Sequence, residues 1–588
     1  MQVLTGHDFP ETERIASAIR FINSTASHIF LTGKAGTGKT TFLKNLARRT
    51  HKQFAVVAPT GIAALNAGGV TIHSQFLFPF GMFLPERSPS NNFNTDGNCY
   101  TSNTLARKHP LNSARKQVLR SLDLLVIDEV SMLRADLMDA IDYRLKAAKG
   151  NFRQAFGGVQ LLMIGDLYQL PPVVKREEEE MLRRYYNSPW FFEAKALQQD
   201  GFVYVELDKI FRQKDESFIN LLNNLRNNQP TREDIQTFNE HYRSPEEIQS
   251  IREVITLTTH NYKADELNLK ALKELKIPVH ILHANVEGDF PETMFPVLQR
   301  LELKEGAQIM FTKNDSEGKA YFNGKLAMVT SIDEAGVEVA MAETHELYVL
   351  KKELWENKKY TVNNATKELD DEVIGTFEQY PVKLAWAITI HKSQGLTFDK
   401  AIIDVGQAFA DGQVYVALSR LRTLDGLILR THIDSGVVST DKQIVSFTEK
   451  HNRPDELEGV MKDKQRKYLH LLISRTFDFE TLVKEIDYIR KNKSEEGELE
   501  EKTMKPVLEQ IKDALLSELE NTSKFRNQLG VLLEANQPPQ LLDRIAKGRD
   551  YYKGVLWPQV KLLLQHLEAM KKQKRVKQYV SRDRKSVV

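Results

Sequence analysis

A single cysteine, Cys99, stands in a chain of 588 residues. One thiol excludes a disulfide framework and a four-cysteine metal cluster, and such sparing use of cysteine is typical of a reducing compartment. The sequence also lacks any run of about 18 apolar residues, the length that a helix needs to cross a bilayer. Near its start it carries Asp8, Glu11 and Glu13 instead of the apolar stretch of a signal peptide. These absences predict a cytoplasmic protein that has no membrane partner.

The sequence also has no large excess of positive or negative charge. Lysine and arginine number 81 against 79 aspartates and glutamates, a formal net charge of +2, so the overall charge identifies no partner. With 41% hydrophobic and 27% charged residues, the composition is that of a globular protein. The chain is too long for one hydrophobic core, so several structural units are expected.

Residues 33–40, in contrast, carry a specific signal. They read Gly-Lys-Ala-Gly-Thr-Gly-Lys-Thr and fit the pattern G-x-x-x-x-G-K-[ST], with an apolar run before them and a helical pattern after them. Successive backbone N–H groups of such a loop face one concave nest that holds polyphosphate oxygens. Lys39 is expected to contact the terminal phosphates, and the Thr40 hydroxyl to bind Mg²⁺. The nucleotide-binding residues predicted in this loop are Gly33, Ala35, Gly36, Thr37, Gly38, Lys39, Thr40 and Thr41.

Two carboxylates follow a second apolar run, at residues 124–127, which is typical of a buried strand in a parallel sheet. At the carboxyl edge of such a sheet Asp128 can hold Mg²⁺, while Glu129 can orient and deprotonate a water molecule. A nucleotide switch needs the metal carboxylate but not the second acid, so the pair favours hydrolysis. The guanine-reading pattern N-K-x-D is missing, which argues against a GTPase.

Strand, loop and helix signals alternate through the first part of the chain and start again near residue 256. The alternation predicts two doubly wound α/β domains with parallel sheets, the second continued by residues 384–388 and 400–404. Short strands broken by glycine and asparagine predict a small β-barrel inserted into the second domain. The predicted units are residues 1–200, with a polar insertion at about 82–113; residues 201–435, with the barrel at about 305–380; and a helical region with a basic tail at 436–588.

Arg212 and Arg420 each lie next to a turn or a helix start, in Phe-Arg-Gln and Ala-Leu-Ser-Arg. A planar guanidinium is suited to bridge a leaving phosphate and to stabilise the charge of the transition state. If the two α/β domains face each other across a nucleotide, these arginines complete the site only when the cleft closes. Hydrolysis would then be coupled to domain motion. A surface salt bridge is the alternative for either arginine alone.

A series of segments, in the same order along the chain, resembles the motifs of superfamily 1B DNA helicases. They are residues 33–40, Ala-Pro-Thr-Gly-Ile-Ala-Ala-Leu-Asn-Ala at 58–67, Thr-Ile-His-Ser at 71–74, Leu-Leu-Val-Ile-Asp-Glu-Val-Ser-Met-Leu at 124–133, Gly-Asp-Leu-Tyr-Gln-Leu-Pro-Pro-Val at 165–173, Phe-Arg-Gln at 211–213, Thr-Ile-His-Lys-Ser-Gln-Gly-Leu-Thr-Phe at 389–398 and Val-Ala-Leu-Ser-Arg at 416–420. Residues 136–159, with Phe-Gly-Gly-Val-Gln at 156–160, resemble the signature of the Pif-type helicases.

The resemblance covers roughly residues 1–435. It implies two RecA-like domains that use ATP and Mg²⁺ for 5′-to-3′ translocation on single-stranded DNA and for unwinding of duplex or forked DNA. A monomer in a bacterial-type cytoplasm, associated with the nucleoid, is expected. A translocase that strips proteins or RNA from DNA, an ATP-gated clamp that remodels nucleoprotein, and RNA as the substrate are the alternatives.

The resemblance also implies roles for single residues. Gln169 would sense the γ-phosphate, and Arg212 and Arg420 would be the two arginine fingers. Gln394 and Gly395 are further predicted nucleotide contacts. The implied DNA contacts are Pro59, Thr60, His73 and Ser74 in the first domain, and His391, Lys392 and Ser393 in the second. Phe76 or Phe78 is expected either to stack on bases or to pack in the core.

Two parts of the chain depart from the resemblance. Family members usually carry an adenine-reading glutamine before the phosphate loop, whereas Gln2 is the only glutamine upstream of the loop here. The region beyond about residue 450 lies outside the resemblance and is expected to be helical, with Ile511, Leu515, Leu516 and Leu519 on one helix face. Its basic end could hold DNA, be disordered or belong to a protein-docking module.

Overall fold

The structure is a computed structural model. It describes residues 12–86, 99–211, 215–251, 253–315, 320–333, 336–342, 344–363, 366, 368–406, 412–434, 441–491 and 504–571.

The first domain alternates strands with helices, as a doubly wound α/β fold requires. Its elements are α1 (Glu13–Ser24), β1 (Ile29–Gly33), α2 (Lys39–Leu46), β2 (Phe54–Ala58), α3 (Gly61–Ala67), β3 (Val70–Thr71), α4 (Ile72–Phe76), β4 (Met82–Leu84), β5 (Cys99–Thr101), α5 (Ser102–Lys108), α6 (Ser113–Ser121), β6 (Leu124–Ile127), α7 (Ala135–Lys149), β7 (Gln160–Ile164), α8 (Arg176–Arg183), α9 (Lys195–Asp200) and β8 (Val203–Leu207).

Six of these strands form one parallel sheet in the order β3-β2-β6-β7-β1-β8. Every residue of β1, β6 and β7 is buried, which explains the continuous apolar runs in the sequence, because helices cover both faces of such a sheet. In the predicted polar insertion, β4 and β5 form a separate parallel pair. Residues 87–98, between them, lie outside the described part of the chain.

The first sheet extends past residue 200, where the sequence placed the domain boundary. β8 pairs in parallel with β1, from Val203 opposite Ile29 to Leu207 opposite Gly33. The side chains of Val203, Val205 and Leu207 are buried, so this strand completes the apolar surface of the sheet. The following loop, which carries Phe211, remains next to the first sheet through a hydrogen bond to the phosphate loop.

Residues 215–457 contain the second α/β domain, its insertion and one further helix. In chain order the elements are α10 (Glu216–Arg226), α11 (Arg232–Asn239), α12 (Pro245–Ser250), β9 (Ile255–Thr258), α13 (Asn261–Glu274), β10 (His280–His283), β11 (Asn285–Gly288), β12 (Arg300–Leu303), β13 (Gln308–Phe311), β14 (Leu326–Asp333), β15 (Gly336–Met341), β16 (Leu347–Val349), β17 (Glu353–Val362), β18 (Leu369–Gln379), β19 (Val382–Leu384), β20 (Ala387–Thr389), β21 (Ala401–Asp404), α14 (Gln413–Leu418), β22 (Leu427–Leu429) and α15 (Lys442–His451).

The second parallel sheet has the strand order β20-β9-β21-β22. Residues 384–388, predicted as one element of this sheet, are divided between two sheets. Leu384 ends β19 and pairs antiparallel with Ile309, whereas Ala387 begins β20 and pairs in parallel with Thr256. An apolar run suits either sheet, so its composition does not reveal where the chain changes sheets.

The insertion between α13 and β20 is antiparallel β-structure. Its strands form a five-stranded sheet in the order β16-β15-β14-β13-β19, a three-stranded sheet in the order β11-β18-β17, and the pair β10-β12. Phe311, Val329 and Val339 belong to a core of its own. The predicted inserted β-structure is therefore present, and it starts earlier than residue 305, at β10.

Residues 441–452 pack on the first domain, although the sequence placed them in the C-terminal helical region. Phe447, on α15, stacks on Phe192 with ring centroids 4.1 Å apart. Trp190 Nε1 donates a hydrogen bond to Asp441 Oδ2 at 2.9 Å. The compact unit that contains both α/β domains accordingly ends at Leu457 rather than at residue 435.

A second compact unit starts at Glu458. Its described helices are α16 (Leu457–Thr476), α17 (Phe479–Lys491), α18 (Lys505–Ser517), α19 (Leu519–Glu534) and α20 (Pro538–Lys571). The helical prediction is confirmed, but the four-residue face is not, because α18 ends at Ser517 and Leu516 is 42% exposed. The basic tail beyond residue 571 lies outside the described residues. None of the described helices combines the length and apolar composition of a membrane span.

Candidate nucleotide site and nucleic-acid groove

The carboxyl edge of the first sheet gathers the residues expected to handle phosphate. The segments that follow β1, β6 and β7 carry Lys39, Glu129 and Gln169. In an open parallel sheet these segments meet at one edge, so residues far apart in the sequence become neighbours. All three side chains line one cleft of about 1480 Å³.

Glycine is required where the phosphate loop curls. Gly36 and Gly38 have φ angles of 83° and 89°, in the left-handed region that favours glycine. A Cβ at Gly33 would lie 2.8 Å from the carbonyl oxygen of Leu207, so β8 leaves room only for glycine there. Helix α2 begins at Lys39 and directs the positive end of its dipole into the loop. The loop therefore has the backbone geometry of an anion nest.

Contacts from two elements hold this loop. The backbone N–H of Phe211 donates to the carbonyl oxygen of Gly36 at 2.9 Å. The N–H of Ala35 donates to the hydroxyl of Tyr415 at 3.5 Å. Tyr415 lies on α14, so the second α/β domain directly contacts the loop of the first.

The Lys39 ammonium folds back on the loop. It donates to the carbonyl oxygens of Gly33 and Lys34 at 2.5 and 3.0 Å. Phosphate oxygens are charged acceptors and form stronger hydrogen bonds with an ammonium than carbonyl oxygens do. The contacts of Lys39 therefore fit a loop that takes a polyphosphate.

Asp128 and Glu129 lie at the end of β6. Burial, and then the charge of Glu129, raises the pKa of Asp128 to about 7. Burial also raises the pKa of Glu129, against the opposing charges of Lys39 and Arg420. Glu129 has a φ of 50°, which is uncommon for a residue with a side chain. A carboxylate with a raised pKa is a better proton acceptor, so Glu129 suits the role of general base.

A magnesium ion fits the donors of the cleft. Among the described residues, no group of three or more His, Cys, Asp or Glu side chains could hold a metal ion. A cation here would need oxygen ligands from its substrate, which is how Mg²⁺ usually binds in phosphoryl-transfer sites. Thr40 and Asp128 both line the cleft and supply the hard oxygen donors that such a shared ion prefers.

Gln169 is held in one orientation. Its Nε2 donates to Asp166 Oδ2 at 3.1 Å, and only 8% of the residue is exposed. Because it also lines the cleft, its amide is available to a ligand in the phosphate loop. The predicted role of a phosphate sensor is compatible with this placement.

Arg420 comes from the second α/β domain and is 1% exposed. Its Nε donates to the carbonyl oxygen of Val416 at 3.0 Å, which fixes the guanidinium over the cleft that it lines. Burial lowers the pKa of Arg420, and the charge of Glu129 opposes that shift. Arg212 lies outside the described residues, so its role as the second finger stays a prediction.

Gln394 and Gly395 also line the cleft. The Nε2 of Gln394 is buried and has no hydrogen-bond partner. A buried donor without a partner costs about 1–3 kcal/mol, which a phosphate oxygen could recover by accepting its hydrogen bond. This orphaned donor favours the predicted contact between Gln394 and a nucleotide.

Three predicted DNA contacts, Thr60, His391 and Lys392, line the same cleft. Burial lowers the pKa of His391, so its imidazole is neutral at pH 7, whereas Lys392 is exposed and cationic. Lys313 and Trp355, from the inserted β-structure, also line the cleft. The groove therefore combines cationic, hydrogen-bonding and aromatic groups, as a sequence-independent site for a single strand requires.

The remaining predicted DNA contacts lie elsewhere. Pro59 follows β2, and His73 and Ser74 follow β3, at the same edge of the sheet but not among the residues that line the cleft. Ser393 is fully buried, and its hydroxyl donates to the carbonyl oxygen of Ile390 at 2.7 Å. In this conformation Ser393 stabilises the turn that presents its two neighbours.

At the end of α4 and just after it, the aromatic side chain that is exposed to solvent is Phe80, and not Phe76 or Phe78, which the sequence suggested for base stacking. These two are 0% and 7% exposed and belong to the core, so the core-packing alternative is the correct one. Phe80 is 85% exposed, and its ring stacks on His73 with centroids 5.4 Å apart. Burial, and then the charge of Arg134, lowers the pKa of His73, which keeps the imidazole neutral.

The sequence did not reveal the residues that hold the cleft-lining groups in place without lining the cleft themselves. Asp166 holds Gln169, Arg226 lies beside Asp166, and Tyr415 contacts the phosphate loop. Asp166 stands within a recognised segment and Tyr415 directly precedes another, but the sequence pattern indicated no role for either residue, because each acts through a neighbour. Arg226 stands in an amphipathic helix, where an arginine usually indicates a solvated face.

Comparison with known proteins agrees with this geometry. Residues 10–236 match the family model of the PIF1-like helicases, and residues 460–583 match a model described as the middle domain of a DNA helicase. The C-terminal region, expected to lie outside the resemblance, thus also has a counterpart among helicases. Human ATP-dependent DNA helicase PIF1 is 32% identical over 451 residues, which make up 74% of this chain and 63% of the human protein. The chain therefore spans less than two thirds of that relative.

Solved structures are similar along most of their length. Bacteroides sp. Pif1 in complex with ADP-AlF4 is 39% identical, with a TM-score of 0.68 over 76% of this chain and 97% of the other. Bacteroides Pif1 bound to single-stranded DNA, also 39% identical, has a TM-score of 0.53 over 75% of this chain and 97% of the other. The phosphate loop, the acid pair and the arginine from the second domain thus stand in a chain that belongs to the PIF1-like helicase family.

Proposed function

We propose that this protein is an ATP-dependent DNA helicase that moves 5′ to 3′ on single-stranded DNA and unwinds duplex DNA. The observation that carries the proposal is one continuous cleft. It joins the phosphate loop and acid pair of the first domain to Arg420 of the second and to the DNA-motif residues Thr60, His391 and Lys392. In a nucleic-acid motor the nucleotide and the DNA strand must both contact the cleft between two domains that move relative to each other. The polarity rests on the family resemblance.

ATP and Mg²⁺ are the proposed cofactors. Bound Mg²⁺ would neutralise charge on the phosphates, with Thr40 and Asp128 as its protein ligands. Glu129 would accept a proton from the attacking water, and Lys39 would hold the terminal phosphates. Arg420 would stabilise the charge that develops as the terminal phosphate leaves.

Two contacts between the α/β domains support coupling of hydrolysis to motion. Tyr415 accepts a hydrogen bond from Ala35 in the phosphate loop. A Cβ at Gly412 would lie 2.7 Å from the carbonyl oxygen of Tyr168 and 2.8 Å from that of Gln169, so α14 begins against the sensor segment. A change at the terminal phosphate would therefore move the start of α14, and the second domain with it.

The similar proteins support DNA as the nucleic acid that this protein binds and moves along. Human PIF1 is named an ATP-dependent DNA helicase, and the Bacteroides protein has been solved with single-stranded DNA. The chain matches the Bacteroides complex with ADP-AlF4 better than the DNA-bound form, with TM-scores of 0.68 and 0.53. We expect the domains to rearrange when a strand enters the groove.

Phe80 is proposed to stack on a base of the bound strand. An exposed phenylalanine that is already ordered on His73 offers a flat apolar surface, and stacking tolerates every base. Replacing Phe80 by alanine is expected to weaken binding of a fluorescent oligothymidylate by about 1–3 kcal/mol, the contribution of one base stack. Because no charge changes, the dependence of affinity on salt should keep its slope.

Phe152 gives a matched control for this substitution. It is 61% exposed and lies between α7 and β7, at the amino edge of the first sheet and not at the carboxyl edge that carries the phosphate-handling residues. Phe152→Ala should leave the affinity for the oligonucleotide unchanged. Equal affinities for the two variants would rule out stacking at Phe80.

We also propose that the protein is a monomer, located in a bacterial-type cytoplasm and associated with the nucleoid.

The alternative function is that of a translocase, which removes proteins or RNA from DNA without sustained unwinding and would use the same hydrolytic site. Hydrolysis stimulated by single-stranded DNA is expected of both, and separation of a tailed duplex is expected of the helicase alone. An ATPase that single-stranded DNA does not stimulate would contradict both motors.

A further inference from the structure

A buried cluster of charges lies behind the phosphate loop. Asp166 and Arg226 are 1% and 4% exposed. The Arg226 guanidinium contacts Asp166, with Nη2 3.6 Å from Oδ1, and Glu206, with Nη1 3.3 Å from Oε1. It also lies over the ring of Tyr168, 4.1 Å from the centroid. One cation thus balances two carboxylates that burial would otherwise destabilise.

Asp166 fixes the orientation of the Gln169 amide. Its Oδ2 accepts a hydrogen bond from Gln169 Nε2 at 3.1 Å, and its Oδ1 accepts one from the N–H of Tyr168 at 3.2 Å. A reversed amide would bring Gln169 Oε1 against a carboxylate oxygen, so the hydrogen bond to Asp166 selects one orientation. In that orientation Nε2 keeps its second hydrogen for a ligand.

Arg226 places a positive charge beside Asp166. Although burial lowers the pKa of Arg226, the charge of Asp166 and then those of its other neighbours raise it above the ordinary value. The guanidinium therefore stays charged. Without it, the buried Asp166 and the partly buried Glu206 would lose the cation that contacts both of them, and the Asp166 carboxylate could move away from Gln169. A displaced Asp166 would no longer accept the hydrogen bond of Gln169 Nε2, so the amide could turn.

We propose that Arg226 is a positioning residue that, through Asp166, keeps the Gln169 amide turned to donate to the terminal phosphate of a bound nucleotide. The inference rests on the proposed function, because it assumes a nucleoside triphosphate in the phosphate loop. Arg226 itself touches no substrate. Its effect requires Gln169.

The surroundings of Arg226 make it a rigid support. Helix α10, which ends at Arg226, is capped at its start by Asp215, whose side chain accepts hydrogen bonds from two N–H groups of the first turn. Phe218, Leu222 and Leu225 bury the face of this helix that packs in the core. On the far side of the cluster, Glu206 accepts a hydrogen bond from Asn452 Nδ2 at 2.9 Å. Glu206 and the packed helix α10 thus both hold the guanidinium beside Asp166.

A double-mutant cycle on the full chain tests this role. Arg226→Met, Gln169→Ala and the double variant are compared for kcat and KM of DNA-stimulated ATP hydrolysis. The ratio of affinities for AMP-PNP and ADP is measured by displacement of a fluorescent ADP analogue. Each single substitution is expected to lower kcat about 10- to 100-fold, as misplacement of a catalytic contact does, and to lower the AMP-PNP to ADP ratio. The double variant should be no worse than the poorer single one, because both remove the same contact.

Two further variants separate positioning from folding. Arg226→Lys keeps the charge and should recover part of kcat and of the affinity ratio. Asp166→Asn is close in shape but permits either orientation of the Gln169 amide, so it should reproduce the lowered ratio, measured below the melting temperature of the variant. Arg144, 3% exposed and bonded to carbonyl oxygens of Leu77 and His109, is the matched control. The effect of Arg144→Met should multiply with that of Gln169→Ala.

The cycle also separates this inference from the proposed function. If the native chain hydrolyses ATP and the effects of Arg226→Met and Gln169→Ala multiply, the positioning role is overturned while the helicase proposal stands. An unchanged AMP-PNP to ADP ratio in both Arg226→Met and Asp166→Asn would overturn it as well. A native chain that neither binds nor hydrolyses ATP would refute the proposed function, and this inference with it.

Discussion

Glu129→Gln is expected to lower kcat for ATP hydrolysis about 10³-fold, because it removes the group that accepts a proton from the attacking water. The amide has almost the shape of the carboxylate, so ATP and single-stranded DNA should still bind. The raised pKa of Glu129, caused first by burial, makes the native carboxylate a good proton acceptor. Single-turnover hydrolysis, measured beside equilibrium binding of ATP and an oligonucleotide, checks both parts.

The control residue, Asp123, flanks the same strand as Glu129. Asp123 is exposed and precedes β6, at the opposite end from Glu129. Asp123→Asn should leave kcat unchanged. Turnover by Glu129→Gln within a few-fold of the native rate would remove Glu129 from the role of base.

Arg420→Ala should lower kcat about 10³-fold, the usual effect of removing an arginine finger, while the affinity for ATP changes little. The guanidinium reaches the cleft from the second domain, so it acts when the domains close on the nucleotide. Arg420→Lys should restore little of the rate, because an ammonium lacks the planar fork of donors. Steady-state kinetics with and without single-stranded DNA, beside ATP affinity, measures the effect.

Because Arg420 is 1% exposed, loss of packing needs its own control. Arg243, in the same domain, bonds to the carbonyl oxygens of Glu240 and Tyr242 and does not line the cleft. Arg243→Ala should leave kcat unchanged, and the melting temperature of each variant reports folding. If Arg420→Ala loses affinity for ATP but keeps the native kcat, Arg420 is not an arginine finger.

The phosphate loop and the acid pair could be predicted because their chemistry is local in sequence. Eight consecutive residues form the nest, and Asp128 and Glu129 are the first two residues after the strand that positions them. Contacts between distant segments could not be predicted in this way. The hydroxyl of Tyr415 reaches Ala35 across 380 positions, and no pattern around either residue indicates it. Arg226 likewise gains its place only when α10 packs beside Asp166.

The predictions that differ from the structure depend on which residues are buried and on which elements pack together. Phe76, Phe78 and Phe80 are alternate residues of one segment, and only tertiary packing determines that Phe80 is exposed. The boundaries at residues 200 and 435 were misplaced for a related reason. β8 and α15 read as ordinary elements, and their membership in the first domain depends on the partners they pack against.

Strand separation on matched duplexes with a single-stranded tail at the 5′ or the 3′ end tests the central proposal most directly. With ATP and Mg²⁺, the native chain is predicted to unwind the 5′-tailed duplex and not the 3′-tailed one, and Glu129→Gln is predicted to unwind neither. Unwinding of the 3′-tailed duplex alone would contradict the polarity. Unwinding of neither duplex, in the presence of DNA-stimulated hydrolysis, would contradict the helicase and favour a translocase.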